Sequence, residues 1–275
     1  MKTEPRYDGP SVLAIEGDPT APFVRQRRRF LATLESLSEE QWRAPTRCDC
    51  WTVQDVAAHL VTVNGFWQAS IVAGLAGQPT RMLVDFDPKA TPELLVAGAR
   101  SATPAETLAE LRASSDGVCD LVAPLDDHQR ALPAEGPSGH IPVSLLINHG
   151  LWDCWVHERD VALPLGLPLT EDPDEVLAGL RFVAGLGAGF ALTAGVARPP
   201  ASLVIEATDP NACVVVEVSD HVEVHDQPPA DPTVTLRGDA VDLVEALSCR
   251  APLDQPVAPE HEWLVGYLGQ LFETV

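Results

Sequence analysis

Two histidines and an aspartate recur at four-residue intervals in one segment of the chain, at His149, Asp153 and His157. On a helix, residues four apart stack on the same side, about 6 Å from each other. The neighbouring residues of this segment are largely apolar, so the stripe should face the protein interior. Imidazole and carboxylate groups held together away from water can bind a metal ion or move protons.

A further imidazole, His59, lies on a different predicted helix among small residues that let another helix approach. An inward histidine on one bundle helix, facing an Asp–His pair on another, is one way to build a three-ligand metal site. Nitrogen and oxygen ligands suit Zn, Ni, Fe or Mn, and three protein ligands leave positions open for water or substrate.

Each of these features also fits a purely structural role. A histidine on an apolar helix can be a hydrogen-bonded core residue, and an Asp–His pair at this spacing can simply stabilise its helix. His149 could be a fourth ligand or a proton shuttle, or it could donate to a nearby carbonyl. Spacing alone leaves these alternatives open.

The apolar spacing is helical from about residue 22 to residue 197 and then changes to short β-branched runs. The sequence predicts capped helix starts at Thr52, Thr103, Thr91 and Asp172. The helices are predicted near residues 22–37, 53–76, 92–101, 104–122, 143–162, 173–197, 240–247 and 260–272. The strands are predicted to form an antiparallel meander and lie at 202–208, 212–219, 221–225 and 233–237. Residues 78–89 and 124–142 are predicted as long loops. The fold class is therefore α+β, with a helix bundle at residues 20–170 and a linker helix plus a small α+β domain at residues 171–275.

Composition limits the partners of the protein. The 275 residues carry 18 Lys and Arg against 40 Asp and Glu, a net charge of −22, which argues against nucleic acid or an anionic membrane surface. The one dense basic run, Arg25 with Arg27, Arg28 and Arg29, is interpreted as a solvated helix face. The uncharged, mostly apolar run Phe182–Ala197 has 16 residues, fewer than the ~20 that span a bilayer. With six scattered cysteines and no visible signal peptide, we expect reduced thiols and a cytoplasmic location.

Residues 34–60 contain a Trp, a Pro-Thr, a Cys and the string Trp-Thr-Val-x-Asp-x-x-x-His at 51–59. This segment resembles the mycothiol-dependent maleylpyruvate isomerase N-terminal domain family, a branch of the DinB-like four-helix metal bundles. Residues 155–166 resemble the second metal helix of that family, and residues 231–250 resemble its sterol-carrier-like C-terminal domain. The chain departs from the family pattern at Asp153, where the family has glutamate, and at Cys50 and Cys249, where it has glycine.

The resemblance implies that His59, Asp153 and His157 bind a divalent metal, with Zn favoured over Ni, Fe or Mn. It implies mycothiol or a related thiol as cosubstrate, which the metal would hold as thiolate for addition or S-transfer to, or isomerisation of, a small electrophile. Arg250 would pair with a substrate carboxylate, or else complement the dipole of its helix, and His149 is the second candidate catalytic residue. The alternatives are a non-catalytic small-ligand-binding protein with a vestigial metal site and a metal-dependent hydrolase. The partners would be the two small molecules, and the protein a monomer or homodimer.

Overall fold

The computed structural model describes residues 5–271 and confirms the α+β fold class, with helices in the first half and a sheet near the end. Four helices pack side by side as a bundle, namely α1 (Thr20–Glu35), α3 (Val53–Leu75), α5 (Pro104–Val122) and α7 (Val143–Leu165). The shorter helices of this half are α2 (Glu39–Trp42), α4 (Ala90–Ala99) and α6 (Asp127–Ala131). The division into domains at residue 170 stays a prediction.

The predicted caps hold at two helices and fail at two. Thr52 and Thr103 each form a full capping box with the carboxylate three residues later, which sets the starts of α3 and α5. Helix α4 begins earlier than predicted, because Asp87 rather than Thr91 accepts from the free N–H groups. Asp172 stands at the N-cap of α8 without capping it, since its carboxylate pairs with arginines of α1.

The interpretation of the basic run as a solvated helix face is wrong for two of its members. Arg27 is buried and donates to the carbonyl of Gly150 on α7, and Arg29 pairs with the buried Glu158 and Glu175. These arginines join α1 to α7 and α8. They are thus engaged within the fold rather than displayed to a polyanion.

Helix α8 (Pro173–Thr193) joins the bundle to the sheet, because it packs against α7 on one side and against strands and α9 (Ala240–Leu247) on the other. The five-stranded sheet has the order β1-β6-β5-β4-β7. Its strands are β1 (Leu13–Ile15), β4 (Ala201–Thr208), β5 (Asn211–Val218), β6 (Val222–His225) and β7 (Val234–Gly238). Two helices, α3 and α8, are long and apolar enough to cross a membrane by length and composition alone, which is weak evidence because buried core helices pass the same test.

The pairing of strands in the sheet differs from the predicted antiparallel meander. Strands β4, β5 and β6 are antiparallel neighbours, as expected, but β7 pairs with β4 in parallel and β1 pairs with β6 in parallel. Strand β1 was not predicted, because three residues carry too little alternation to show a period. A hairpin of β2 (Pro133–Gly136) and β3 (Gly139–Pro142) lies inside the predicted loop at 124–142. The predicted helix at 260–272 is two short 3-10 segments, Pro259–Leu264 and Tyr267–Gln270, in its described part, and residue 272 lies outside the described residues.

Candidate metal centre

Two neighbouring bundle helices bring His59, Asp153 and His157 together. His59 lies on α3, less than two turns after the Thr52 cap, and the other two lie in the middle of α7. One ligand atom from each residue lies within 4.8 Å of the other two. The Nε2 atoms of His59 and His157 are each 3.7 Å from Oδ1 of Asp153. We call these three residues the His/Asp/His group.

The Asp153 carboxylate in this group is incompletely satisfied. Its Oδ2 atom is buried and has no hydrogen-bond partner. Burial opposes the ionisation of Asp153, but His59, His157 and His149 outweigh it and hold the pKa of Asp153 below its usual range. A buried carboxylate with a free oxygen, facing two imidazole nitrogens, has the donor set and charge that a divalent cation requires.

The other ring nitrogen of His157 faces a second cluster. Nδ1 of His157 lies 3.1 Å from Oδ2 of Asp160, a residue that is fully buried. The Asp160 carboxylate also accepts from Arg47 and Arg250, and Sγ of Cys48 donates to it over 3.1 Å. We call Asp160 with Arg47, Cys48 and Arg250 the Asp160 network.

Asp160 therefore fixes which nitrogen of His157 carries the proton. Because Nδ1–H donates to the carboxylate, Nε2 is the nitrogen turned toward the His/Asp/His group, as in the carboxylate–histidine pairs of metal sites. Burial lowers the pKa of His157, but Cys48, Asp160 and Asp153 outweigh it and raise that pKa to about 10. The pocket thus stabilises positive charge at this position, and a cation bound by Nε2 would take the place of the second proton.

His149 and Arg250, the two residues predicted to act in catalysis, lie outside the His/Asp/His group. The His149 ring packs among aromatic rings, 5.0 Å from Trp67 and 5.2 Å from Phe182, and burial lowers its pKa to about 4, which leaves it neutral. The Arg250 side chain pairs with Asp160 at 3.0 Å rather than lying along its own helix end. Catalytic roles for both residues stay predictions.

Sequence reasoning gave too little weight to three residues that precede α3. Sγ of Cys48 lies 3.6 Å from Nδ1 of His157. Arg47 ties Asp160 to Glu245 of α9 and was not singled out. The Trp51 ring lies 5.2 Å from that of His59 and 6.3 Å from that of His157. Their position directly before the Thr52 cap was the available signal.

Helix α4 holds Trp51 against the His/Asp/His group. The indole Nε1 of Trp51 donates to Glu93 of α4 over 2.7 Å. Arg100, at the end of α4, pairs with both Glu93 and Asp55, the residue that completes the cap of α3. These connected polar contacts therefore position both the start of α3 and the Trp51 indole beside the His/Asp/His group.

The two positions where cysteine replaces the family's glycine share an unusual backbone conformation. Cys50 has φ of 62° and Cys249 has φ of 61°, and within residues 5–271 they are the only non-glycine residues with positive φ. Glycine adopts this left-handed conformation without the steric cost that a Cβ brings. Cys50 and Cys249 therefore adopt a backbone conformation that glycine, the residue that the resemblance gives at these positions, adopts more readily.

The fold and the grouped side chains define a class of protein. In this class a four-helix bundle carries a three-residue site able to hold a cation and is joined to an α+β region that contains the sheet. Residues 23–162 match the family described as Mycothiol maleylpyruvate isomerase N-terminal domain. This match spans half of the chain, and the chain belongs to that family.

The chain is also similar to individual proteins. The crystal structure of the mycothiol-dependent maleylpyruvate isomerase is similar over 85% of this chain and 88% of that chain, with a TM-score of 0.60 and 14% identity. At that identity the likeness shows the fold alone. An uncharacterized protein of Mycobacterium tuberculosis (strain ATCC 25618 / H37Rv) is 27% identical over 174 residues, which are 61% of this chain and 80% of that protein.

Proposed function

We propose that this protein is a metal-dependent, thiol-dependent enzyme that adds a small thiol to, transfers it to, or isomerises, a small electrophilic substrate. The observation that carries the proposal is the meeting of the His59, Asp153 and His157 ligand atoms within 4.8 Å in a chain of the mycothiol family. We take mycothiol or a related low-molecular-weight thiol as the cosubstrate and Zn as the metal.

The residues divide the work between binding and orientation. His59, Asp153 and His157 would hold the divalent ion, which when bound supplies a positive charge that keeps a thiol ionised at neutral pH. Asp160 accepts from Nδ1 of His157 and thereby orients Nε2 toward the ion, which would take the place of the proton on Nε2. The Trp51 ring lies beside both imidazoles, with its centroid 5.2 Å from that of His59 and 6.3 Å from that of His157.

Arg250 is the residue for which two roles compete. Its guanidinium is paired with Asp160 and also lies 3.8 Å from Sγ of Cys48, so it helps to fix His157 from a distance. As a substrate-binding group it would recognise a carboxylate on the electrophile. We propose that the guanidinium of Arg250 binds a carboxylate of the electrophile. We also propose that His149, which is neutral, carries a proton beside Asp153.

The intact group favours an enzyme over a binding protein with a vestigial site, because a vestigial site is expected to lose a ligand. The proposed setting is the cytoplasm, where small thiols are reduced, and the proposed partners are two small molecules rather than nucleic acid or membrane. We propose a monomer or homodimer.

The test combines elemental analysis with calorimetric titration of the purified protein. Wild type is expected to retain about one divalent ion per chain and to bind mycothiol only when metal-loaded. His59→Ala and His157→Ala should lose both properties, whereas His221→Ala, which removes an exposed histidine of the sheet region, should keep both. Unchanged metal content in both site variants would remove the proposed site. Turnover of an ester or amide without added thiol would replace the thiol reaction with hydrolysis.

A further inference from the structure

Arg27 is a buried cation that plays no part in the candidate metal centre. The residue is 3% exposed and its side chain extends from α1 into the bundle. Its neighbours on α1, Arg25 and Arg29, both pair with Glu175, whereas within residues 5–271 no carboxylate forms an ion pair with Arg27. Because an unpaired charge is strongly unfavourable in a protein interior, a negative charge beside this guanidinium would stabilise the fold.

The hydrogen bonds of Arg27 leave part of its donor capacity unused. Nη1 donates to the carbonyl of Gly150 over 2.9 Å, and Nε and Nη2 both donate to Oδ1 of Asn64 over 3.4 Å. A guanidinium has five N–H groups, so two of them have no acceptor in the part of the chain that the structure describes. The Phe23 ring, 3.7 Å from Cζ, covers one face of the guanidinium plane. Since the N–H groups lie in that plane, a further partner must approach its edge.

A small cavity adjoins Arg27 where the four bundle helices meet. Its volume of about 10 Å³ is the size that takes one water-sized occupant. Arg27 is the one charged residue among the described residues that line it, and Asn64, Ser115 and Cys154 supply neutral polar groups. The other lining residues are apolar, namely Phe30, Leu31, Leu60 and Leu111. The Ser115 hydroxyl accepts from Asn64 over 3.2 Å, which leaves its own hydrogen to donate. The wall therefore offers an occupant both positive charge and hydrogen-bond donors.

The charge and the size of this cavity determine the class of its occupant. A water molecule can accept from the guanidinium, but it leaves the positive charge uncompensated. Phosphate, sulfate and carboxylates have several heavy atoms and exceed the space. A halide is a single atom, only slightly larger than water, that accepts several charge-assisted hydrogen bonds and supplies the missing charge.

We propose that this cavity is a binding site for one monatomic anion, chloride under ordinary conditions, held by the guanidinium of Arg27 and the hydroxyl of Ser115. The anion neutralises the buried cation and links α1 to α5 across the bundle core. None of His59, Asp153 and His157 lines the cavity. The site is thus separate from the candidate metal centre, and its function is to stabilise the folded bundle.

Thermal unfolding at constant ionic strength tests the site, with chloride replaced by gluconate, an anion too large for the cavity. The Tm of wild type should rise by about 2–4 °C as chloride increases to about 0.5 M, because an anion that binds only the folded state stabilises it. Arg27→Met, which removes the charge and keeps an unbranched side chain, should lose this response. Arg28→Met, which removes the exposed neighbouring arginine, should keep it. The same response to chloride in wild type and in folded Arg27→Met would overturn the proposal.

Diffraction from wild-type crystals grown in sodium bromide tests the position of the anion without any variant. Bromide scatters anomalously at an accessible X-ray wavelength, whereas water does not. An anomalous peak is expected in the cavity, in hydrogen-bond contact with Arg27 and Ser115. Density without an anomalous signal would show that water is the occupant, and absence of density would show that nothing binds there. Either result would refute the anion site.

Discussion

His157 lies between two clusters, the His/Asp/His group on its Nε2 side and the Asp160 network on its Nδ1 side. Both clusters contain a buried carboxylate, but the two carboxylates have different partners. On its Nε2 side, the Asp153 carboxylate faces two imidazoles at 3.7 Å and has one buried oxygen without a partner. On its Nδ1 side, the Asp160 carboxylate is paired with Arg47 and Arg250 and also accepts from Cys48. Cys48, His157 and Asp160 also bring their ligand atoms within 4.8 Å of one another.

The two clusters differ in whether arginine side chains already neutralise the carboxylate at their centre. Two guanidinium groups already neutralise Asp160, and their positive charge opposes a cation at that side. Near Asp153 the described residues place no arginine or lysine in an ion pair with it. Proximity of ligand atoms is therefore insufficient to indicate a metal site, and the charge surrounding those atoms decides which cluster accepts the ion and which one orients the shared imidazole.

The largest effect on metal affinity is expected for Asp153→Asn, which keeps the shape of the side chain and removes its charge. The variant should bind a divalent metal more than about 100-fold more weakly, since it loses a ligand. The free energy of unfolding of the metal-free protein should fall by less than in Asp160→Asn, because Asp153 lies 3.7 Å from its imidazole partners whereas Asp160 pairs with two guanidinium groups at 3.0 Å. Metal-competition titration and chemical denaturation measure the two quantities. Strong destabilisation of the metal-free variant would show that Asp153 is a structural residue.

Asp160→Asn should reduce metal affinity less, and the stability of the metal-free protein more, than Asp153→Asn does. Metal affinity should fall about 10- to 100-fold, because the orientation of His157 is relaxed while all three ligands remain. The metal-free protein should lose about 3 kcal/mol of unfolding free energy, because largely buried Arg250 loses the carboxylate that it pairs with and Arg47 keeps Glu245 but loses Asp160. The same pair of measurements applies. A variant that keeps its stability would mean that the arginines find other acceptors and that the two clusters differ less than we infer.

The sequence was sufficient to predict the bundle helices because their signals are local. The capping boxes at Thr52 and Thr103 and the four-residue spacing on α7 are each contained in one segment. The α+β fold class followed from the change of period near residue 200. The hairpin of β2 and β3 was missed because its short strands are bounded by proline and glycine, which are typical of loops.

The Asp160 network could not be predicted because its members are distant in the chain. Arg47 and Arg250 are separated by about two hundred residues and meet only because α9 packs near the loop before α3. No periodicity records such a contact. The resemblance did carry local information, since Cys50 and Cys249, where it gives glycine, both have positive φ.

A double-mutant cycle on Arg47→Met and Arg250→Met sharpens the account of Asp160. Each single variant should weaken metal binding less than about tenfold, because the other guanidinium still holds the carboxylate. The double variant should lose more unfolding free energy than the two single variants together, since only then is buried Asp160 left without a guanidinium partner. Denaturation of all four proteins gives the coupling. Strict additivity would show that the two arginines act on separate partners.

The smallest effect is expected for Cys48→Ser, the variant that decides which cluster takes the ion. A serine hydroxyl can still donate to Asp160, so the free energy of unfolding should change by less than about 1 kcal/mol. Metal affinity should stay within about threefold of wild type, because the thiol belongs to the compensated cluster. Co²⁺-loaded wild type should correspondingly lack thiolate-to-metal charge-transfer absorption. If Cys48 were itself a ligand, that absorption would be present in wild type and absent in the variant, and the serine would weaken metal binding as severely as Asp153→Asn does.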